Sequence, residues 1–150
     1  MVQSQRFLSS LMLAPQTVTN GATVTARLDT SVLGVNANAK ALYIDVDVAF
    51  ASQVNTNAVN PTVQILESDD TVVTNFATIT ASVNPTLTAA GIVRFCVDMR
   101  PRKKWLRVTV GIPTATNDNQ IVSCIAHVRP NQEPASTSDL ISNGTAVIVN

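Results

Sequence analysis

Charge, aromatic rings, glycine, cysteine and histidine are all scarce in this chain of 150 residues. Charged residues make up 13%, against roughly 25% in an ordinary soluble domain. With five glycines, no Gly-rich phosphate-cradling loop is present. The single histidine excludes a zinc-binding His-Glu-x-x-His pair, and two cysteines exclude paired CxxC metal spacings. No nucleophile elbow occurs. Aromatic residues are 4%, the formal net charge is zero and the sequence pI is about 6.5. That removes both the stacking platform and the broad basic footprint that nucleic-acid binding needs. No apolar run approaches the length of a membrane span. The segment RFLSSLMLAP is short and broken by Ser9 and Ser10, so it does not read as a secretory leader. Synthesis and use in a cytoplasm-like compartment are expected.

What the chain has instead is Val, Ala, Thr, Asn and Ser. Its apolar content, 45%, suffices for one core in a domain of this size. Thr is β-branched and packs well on a pleated surface, whereas the long polar residues that coat helices are few. Period-two alternation is clearest in ALYIDVDVAF (41–50). There Leu42, Ile44, Val46, Val48 and Phe50 alternate with Tyr43, Asp45, Asp47 and Ala49. Similar runs span 22–30, 61–68, 71–81, 91–99, 105–112 and 120–128, separated by Asn/Gly/Pro-rich turns. The pattern predicts an all-β chain: a single-domain antiparallel β-sandwich or jelly roll with extended terminal arms. Residues 21–129 form the sandwich, 1–20 an N-terminal arm or first strand, and 130–150 a linker with a short strand or arm. Asn20-Gly21 and Asn143-Gly144 could instead each close a tight hairpin.

Cys96 and Cys124 lie in apolar runs and read as buried thiols, one disulfide remaining open. Cys124 and His127 are three apart, which on a strand points them to opposite faces. A satisfied sheet histidine is therefore favoured over a Cys–His hydrolase. Glu67, Asp69 and Asp70 match no calcium loop and read as a turn whose Asp and Ser side chains bond their own backbone. No metal, cofactor or catalytic residue is expected.

The singular feature is DMRPRKKWLRVTVG (98–111). Six of the ten cations fall between Arg94 and Arg107, beside the only Trp. Pro101 forbids ladder pairing at the tip, so the stretch reads as a charged hairpin turn. Asp29, Asp45, Asp47, Glu67, Asp69 and Asp70 all lie in the first half. A subunit polarised in this way can dock its basic loop on an acidic protein surface, Arg and Trp being frequent interface anchors. A surface so poor in charge also gives little protection against association, as expected of a subunit packed against neighbours.

ESDDTVVTNF together with DMRPRKKWLRVTV resembles the small β-sandwich decoration, or cement, proteins of tailed bacteriophage heads. In those sequences an Asp-Asp-Thr segment is followed by a strand ending in Asp-apolar-Arg, then basic residues, an aromatic and a further strand. The matching positions are Asp69, Asp70 and Thr71, then Asp98, Arg100, Arg102, Lys103, Lys104, Trp105 and Leu106. The likeness covers about residues 60–112 and departs at Pro101, where such sequences often carry a glycine-containing turn. It implies a virion structural protein on the capsid surface, made in the host cytoplasm. Its partners would be the major capsid protein and copies of itself, with no specific nucleic acid and no membrane. Trimers would suit positions between hexameric capsomers; dimers and monomers are equally compatible. The interface residues expected are Arg100, Arg102, Lys103, Lys104, Trp105, Arg107, Asp69 and Asp70. The alternative is a carbohydrate- or receptor-binding module of a phage tail or fibre.

Overall fold

A computed structural model describes residues 9–36, 39–51, 60–79, 82–84, 90–114, 119–129 and 144–149. The strands are β1 (Ser9–Val18), β2 (Thr23–Asp29), β3 (Gly34–Asn36), β4 (Ala39–Lys40), β5 (Tyr43–Phe50), β6 (Thr62–Ser68), β7 (Ala77–Thr78), β8 (Gly91–Asp98), β9 (Trp105–Gly111), β10 (Gln120–Val128) and β11 (Gly144–Val149). One sheet has the order β1-β10-β5-β8-β11 and the other β2-β9-β6-β7, with β3-β4 a separate small ribbon. The chain is an all-β sandwich.

Its pairing is nested: β1 with β10, β2 with β9, β5 with β8 and β6 with β7, all antiparallel. A long hairpin rolled so that alternate strand pairs fall in opposite sheets has this order, which is that of a jelly roll. One strand departs from the antiparallel expectation. β11 runs parallel to β8 at the edge of the larger sheet, with Gly144 opposite Ile92 and Val149 opposite Val97. Ser9–Val18 and Gly144–Val149 are thus strands of the chain's own sheet. Residues 1–8 and the 130–143 linker, including Asn143, lie outside the described residues.

The core forms where the two inner faces meet. The larger sheet contributes Ile44, Val46, Val48 and Phe50 from β5, Val93, Phe95 and Val97 from β8, and Val122, Cys124 and Ala126 from β10. From the smaller sheet come Ala26, Leu28, Val63, Ile65, Leu106, Val108 and Val110. These are the alternate positions of the strand runs, because successive side chains point to opposite faces. Cys124 faces this core while Cys96 lies on the opposite face of the sheet, with β5 between their strands. Two strand spacings separate β8 from β10, roughly 10 Å, which is beyond the reach of a disulfide. Both thiols are free, and burial pushes each up to about 12.

Two expectations fail. Residues 71–81 are not one strand: a 3-10 turn at Val73–Asn75 precedes the two-residue β7. The cause is Asp70, whose carboxylate accepts from the Val72 N–H at 2.8 Å and from the Asn75 amide at 2.8 Å. A side chain that binds local donors competes with ladder pairing. Nor is 99–104 a hairpin turn. β8 belongs to the larger sheet and β9 to the smaller, so the segment crosses the end of the sandwich between them. The Asn20-Gly21 turn likewise links sheets, with Gly21 at φ 73° and the Ala22 N–H bonded to Thr19 O.

Phe95 is fully buried at the centre of the core. Phe95→Ala should cost about 3–5 kcal/mol in urea unfolding, whereas Arg100→Ala should leave the urea midpoint nearly unchanged. A Phe95→Ala loss no larger than that of Arg100→Ala would contradict this placement of the core.

Candidate functional site

Nested pairing sends alternate connections to opposite ends of the sandwich. The β2–β5, β6–β7 and β8–β9 connections therefore share one end, which brings residues 29–33, 67–76 and 98–105 together. The expected site residues all lie there or on the strand leading from it.

The β8–β9 connection opens with a turn in which the Arg102 N–H bonds Met99 O at 3.3 Å. Asp98 accepts from the Arg100 backbone N–H at 3.0 Å and from its Nε at 2.9 Å, and the Arg100 guanidinium sits 5.2 Å from the Tyr43 ring centre. That fork holds the Asp98 carboxyl below its ordinary range. Arg102 points inward, its side chain only 9% exposed, 3.7 Å from Glu67. Glu67 also accepts the Lys103 N–H at 3.0 Å. Lys103 Nζ lies 3.2 Å from Asp69 and Lys104 Nζ 3.9 Å from Asp29. Lys104 also lies 5.5 Å from the Trp105 ring centre. The Thr30 N–H and hydroxyl both donate to Lys104 O at 2.9 Å. Asp29 in turn accepts from the Ser31 N–H and hydroxyl.

The carboxylates of the first half do not form an acidic face awaiting a basic partner. Asp29, Glu67 and Asp69 take up Lys104, Arg102 and Lys103 of the loop within the same chain. Linear charge segregation thus becomes spatial charge pairing. Each exposed pair is worth about 0–1 kcal/mol, so these contacts shape the loop more than they stabilise the fold. Asp70 acts apart from them. It holds the turn described above, and hydrogen bonds from Asn75 and Val72 keep its carboxyl below the usual range.

Arg107 lies on the outer face of the smaller sheet. Its Nη1 donates to Val73 O at 3.0 Å and its guanidinium stacks 4.4 Å from the Phe76 ring centre. Arg27, its cross-strand partner, donates to Thr71 O at 3.0 Å. These two arginines fasten the β6–β7 connection down, burying Phe76 and Leu66 while leaving Val72 and Val73 exposed. Val32 and Leu42 are further large apolar side chains exposed at this end. Asp29, Glu67, Asp98, Arg27 and these four apolar residues were not among the expected site residues. Asp98 is two residues from its partner Arg100; the others are brought to this end by the strand order, which nothing local marks.

A second polar cluster lies on the outer face of the larger sheet. In one cross-strand row His127, Asp45 and Cys96 are neighbours, and in the next Ile125, Asp47 and Arg94. Arg94 grips Asp47 through Nε at 2.6 Å and Nη2 at 2.7 Å. Arg129 Nη1 binds Asp45 at 2.9 Å and reaches Cys96 Sγ at 3.5 Å, while His127 Nε2 lies 3.6 Å from Asp45. His127 is thus a partnered sheet histidine, on the face opposite Cys124. The thiolate of Cys96 is disfavoured by burial and by Asp45, so the row is unsuited to nucleophilic chemistry. Among the described residues, no three His, Cys, Asp or Glu side chains converge as metal ligands.

No protein-family model matches the chain, and no curated protein matches it in sequence. Among solved structures it is similar to one of the infectious bursal disease virus Gx strain, at 10% identity over 81% of this chain and 31% of that one, with TM-score 0.44. The VP2 subviral particle of the same virus gives 11% identity, 83% and 33% coverage, and TM-score 0.42. The enzymatically active domain of bacteriophage CBA120 tailspike protein 4 gives 9%, 81% and 19%, and 0.41. The chain spans about a third of the first two chains and about a fifth of the third.

Burial raises the Asp45 carboxyl, but hydrogen bonds from His127, Arg129 and Cys96 together outweigh it and hold it below the ordinary 3.8. A carboxyl depressed in the folded state contributes stability above its unfolded value and loses it as pH falls through the folded one. Asp45→Asn should therefore lower the urea midpoint at neutral pH and lose less of it between about pH 5 and pH 2 than the parent does. Parallel pH profiles for the two proteins would refute the assignment.

Proposed function

We propose that this chain is a virion structural protein that decorates a phage capsid and bridges neighbouring capsid subunits. Its catalytic role is nil on this reading, and its partners are the major capsid protein and further copies of itself. The jelly-roll order alone does not decide the matter, because the same architecture serves capsid proteins, lectins and cupins. One observation carries the reading: four large apolar side chains stand exposed around a loop end whose basic β8–β9 loop is already paired with carboxylates. Val32, Leu42, Val72 and Val73 are 55%, 46%, 53% and 65% exposed. Exposed apolar groups rimmed by polar ones mark protein contacts. A loop already folded onto its own carboxylates loses little further entropy on docking. The resemblance over residues 60–112 falls on two of the three connections that build this end.

Shells assembled without the chain should come apart at lower temperature and lower ionic strength than decorated shells, and adding the chain back should restore them. A double variant, Val32→Asp with Val73→Asp, should fold normally but fail to restore. Equal survival of bare and decorated shells would end the proposal.

The alternative, a carbohydrate-binding module, is favoured by one observation. A depression of about 330 Å³ lies on the outer face of the smaller sheet, lined by Thr23, Thr62, Gln64, Thr109, Gly111, Ile112 and Pro113. Its hydroxyls and amide suit a sugar, although no aromatic platform is among the lining residues. A Cβ at Gly111 would meet nothing closer than 3.5 Å, so Gly111→Ala should fill the floor without strain. Specific glycan-array binding that Gly111→Ala abolishes would establish this reading; an array without signal would dismiss it.

A further inference from the structure

The cations whose side chains are described divide into two kinds. Arg94, Arg100, Arg102, Lys103, Lys104 and Arg129 each lie within 4 Å of a different carboxylate: Asp47, Asp98, Glu67, Asp69, Asp29 and Asp45 in that order. Arg27 and Arg107 have no carboxylate partner among the described residues. They stand directly opposite one another in the β2–β9 ladder, on the outer face of the smaller sheet. Like charges so placed are destabilising. Burial and the nearby Arg27 both act against the charge on Arg107.

Their contacts orient them without neutralising them. Each donates one N–H to a carbonyl, Thr71 O for Arg27 and Val73 O for Arg107. Phe76 backs the Arg107 guanidinium at 4.4 Å. A guanidinium has five N–H donors, so even with Arg107 Nε buried out of a partner's reach, most of the pair's capacity remains unused. Val72 and Val73 stand exposed on the segment that the two arginines hold.

We infer that Arg27 and Arg107 form a receiving site for a single carboxylate side chain of a protein partner, with Val72 and Val73 taking the apolar residues beside it. The inference rests on the proposed role as a capsid-bound structural protein and supplies the chemistry of that contact. A guanidinium fork matches the planar carboxylate in geometry and charge. A nucleic-acid backbone fits less well. Its charges come about every 1.7 Å along a duplex, and a phosphate row here would run onto the exposed Asp69 and Asp70.

The test uses the full chain with two probes. A blocked Val-Glu-Val peptide should shift the Nε–Hε NMR signals of Arg27 and Arg107, and its Val-Gln-Val counterpart should not. Arg27→Gln, which leaves the Phe76 stack intact, should weaken the Glu peptide about tenfold, with Arg27→Lys falling between. Equal response to both peptides, unchanged affinity of Arg27→Gln, or tighter binding of inorganic phosphate or duplex DNA would each overturn the site. Co-sedimentation with bare shells separates this from the broader reading. If the parent binds shells and Arg27→Gln binds as well, the site falls and decoration stands. If the Glu peptide binds as predicted but no shell does, the site stands and decoration falls.

Discussion

The charged loop end depends on the backbone ladder that joins β2, β9 and β6. Its register sets Asp29, Trp105 and Ser68 in one row and Arg27, Arg107 and Leu66 two rows along, on the same face. The first row lies at the sandwich rim, so the connections leaving it begin with their carboxylates beside the loop that enters β9. The second row lies on the outer face, where the β6–β7 connection folds back over it. A one-residue slip would turn each of these side chains to the other face. The inward residues of the same strands, Leu28, Leu106, Val108, Val63 and Ile65, are almost wholly buried, so a slip would expose the core. Hydrophobic packing thereby fixes the geometry of the charged end.

The magnitudes agree with that order of causes. Fully burying one Val or Leu contributes about 1.5–3 kcal/mol, against about 0–1 for an exposed ion pair. The pairs at the rim are mostly of the exposed kind; the Arg100 and Lys104 side chains are 61% and 57% exposed. Their physical effect is local: they choose one arrangement of a loop that would otherwise repel itself. The scarce rings serve the same end, with Tyr43, Trp105 and Phe76 each carrying a cation. The pairs on the larger sheet are of another type. Asp45 and Asp47 are nearly buried, and an unpaired carboxylate there would carry a large desolvation cost. Arg129 and Arg94 are required where they stand.

Legibility in the sequence followed the range of the interactions. The alternation of Ile44, Val46, Val48 and Phe50 with Tyr43, Asp45, Asp47 and Ala49 gave the right faces, because period two is a property of one strand. The Ser68–Asp70 turn was readable for the same reason: Asp70 N–H bonds Ser68 Oγ two residues away. What escaped was non-local. That β8 and β9 belong to different sheets, that β11 is parallel, and that Arg27 faces Arg107 all depend on which strands pair. Alternation carries no information about partner choice. The 71–81 segment misled in a further way: its apolar spacing suits a strand, yet Asp70, Arg27 and Arg107 hold its donors and carbonyls in other bonds. Side-chain competition for the backbone outweighed propensity.

The neutrality of the rim has a consequence for how a contact there would behave. Where a basic loop meets an acidic surface, long-range attraction steers the encounter and weakens steeply with salt. Here the loop's charges are mostly cancelled within a few ångströms, leaving little field at a distance. Contact strength must then come from apolar side chains and from groups that meet at short range. Such a contact keeps most of its strength when ionic strength changes. Two uncompensated guanidiniums in that otherwise neutral setting supply orientation more than attraction. At such a contact they would admit a carboxylate in one position and reject a second cation, which is how a small charged group confers specificity on an apolar patch.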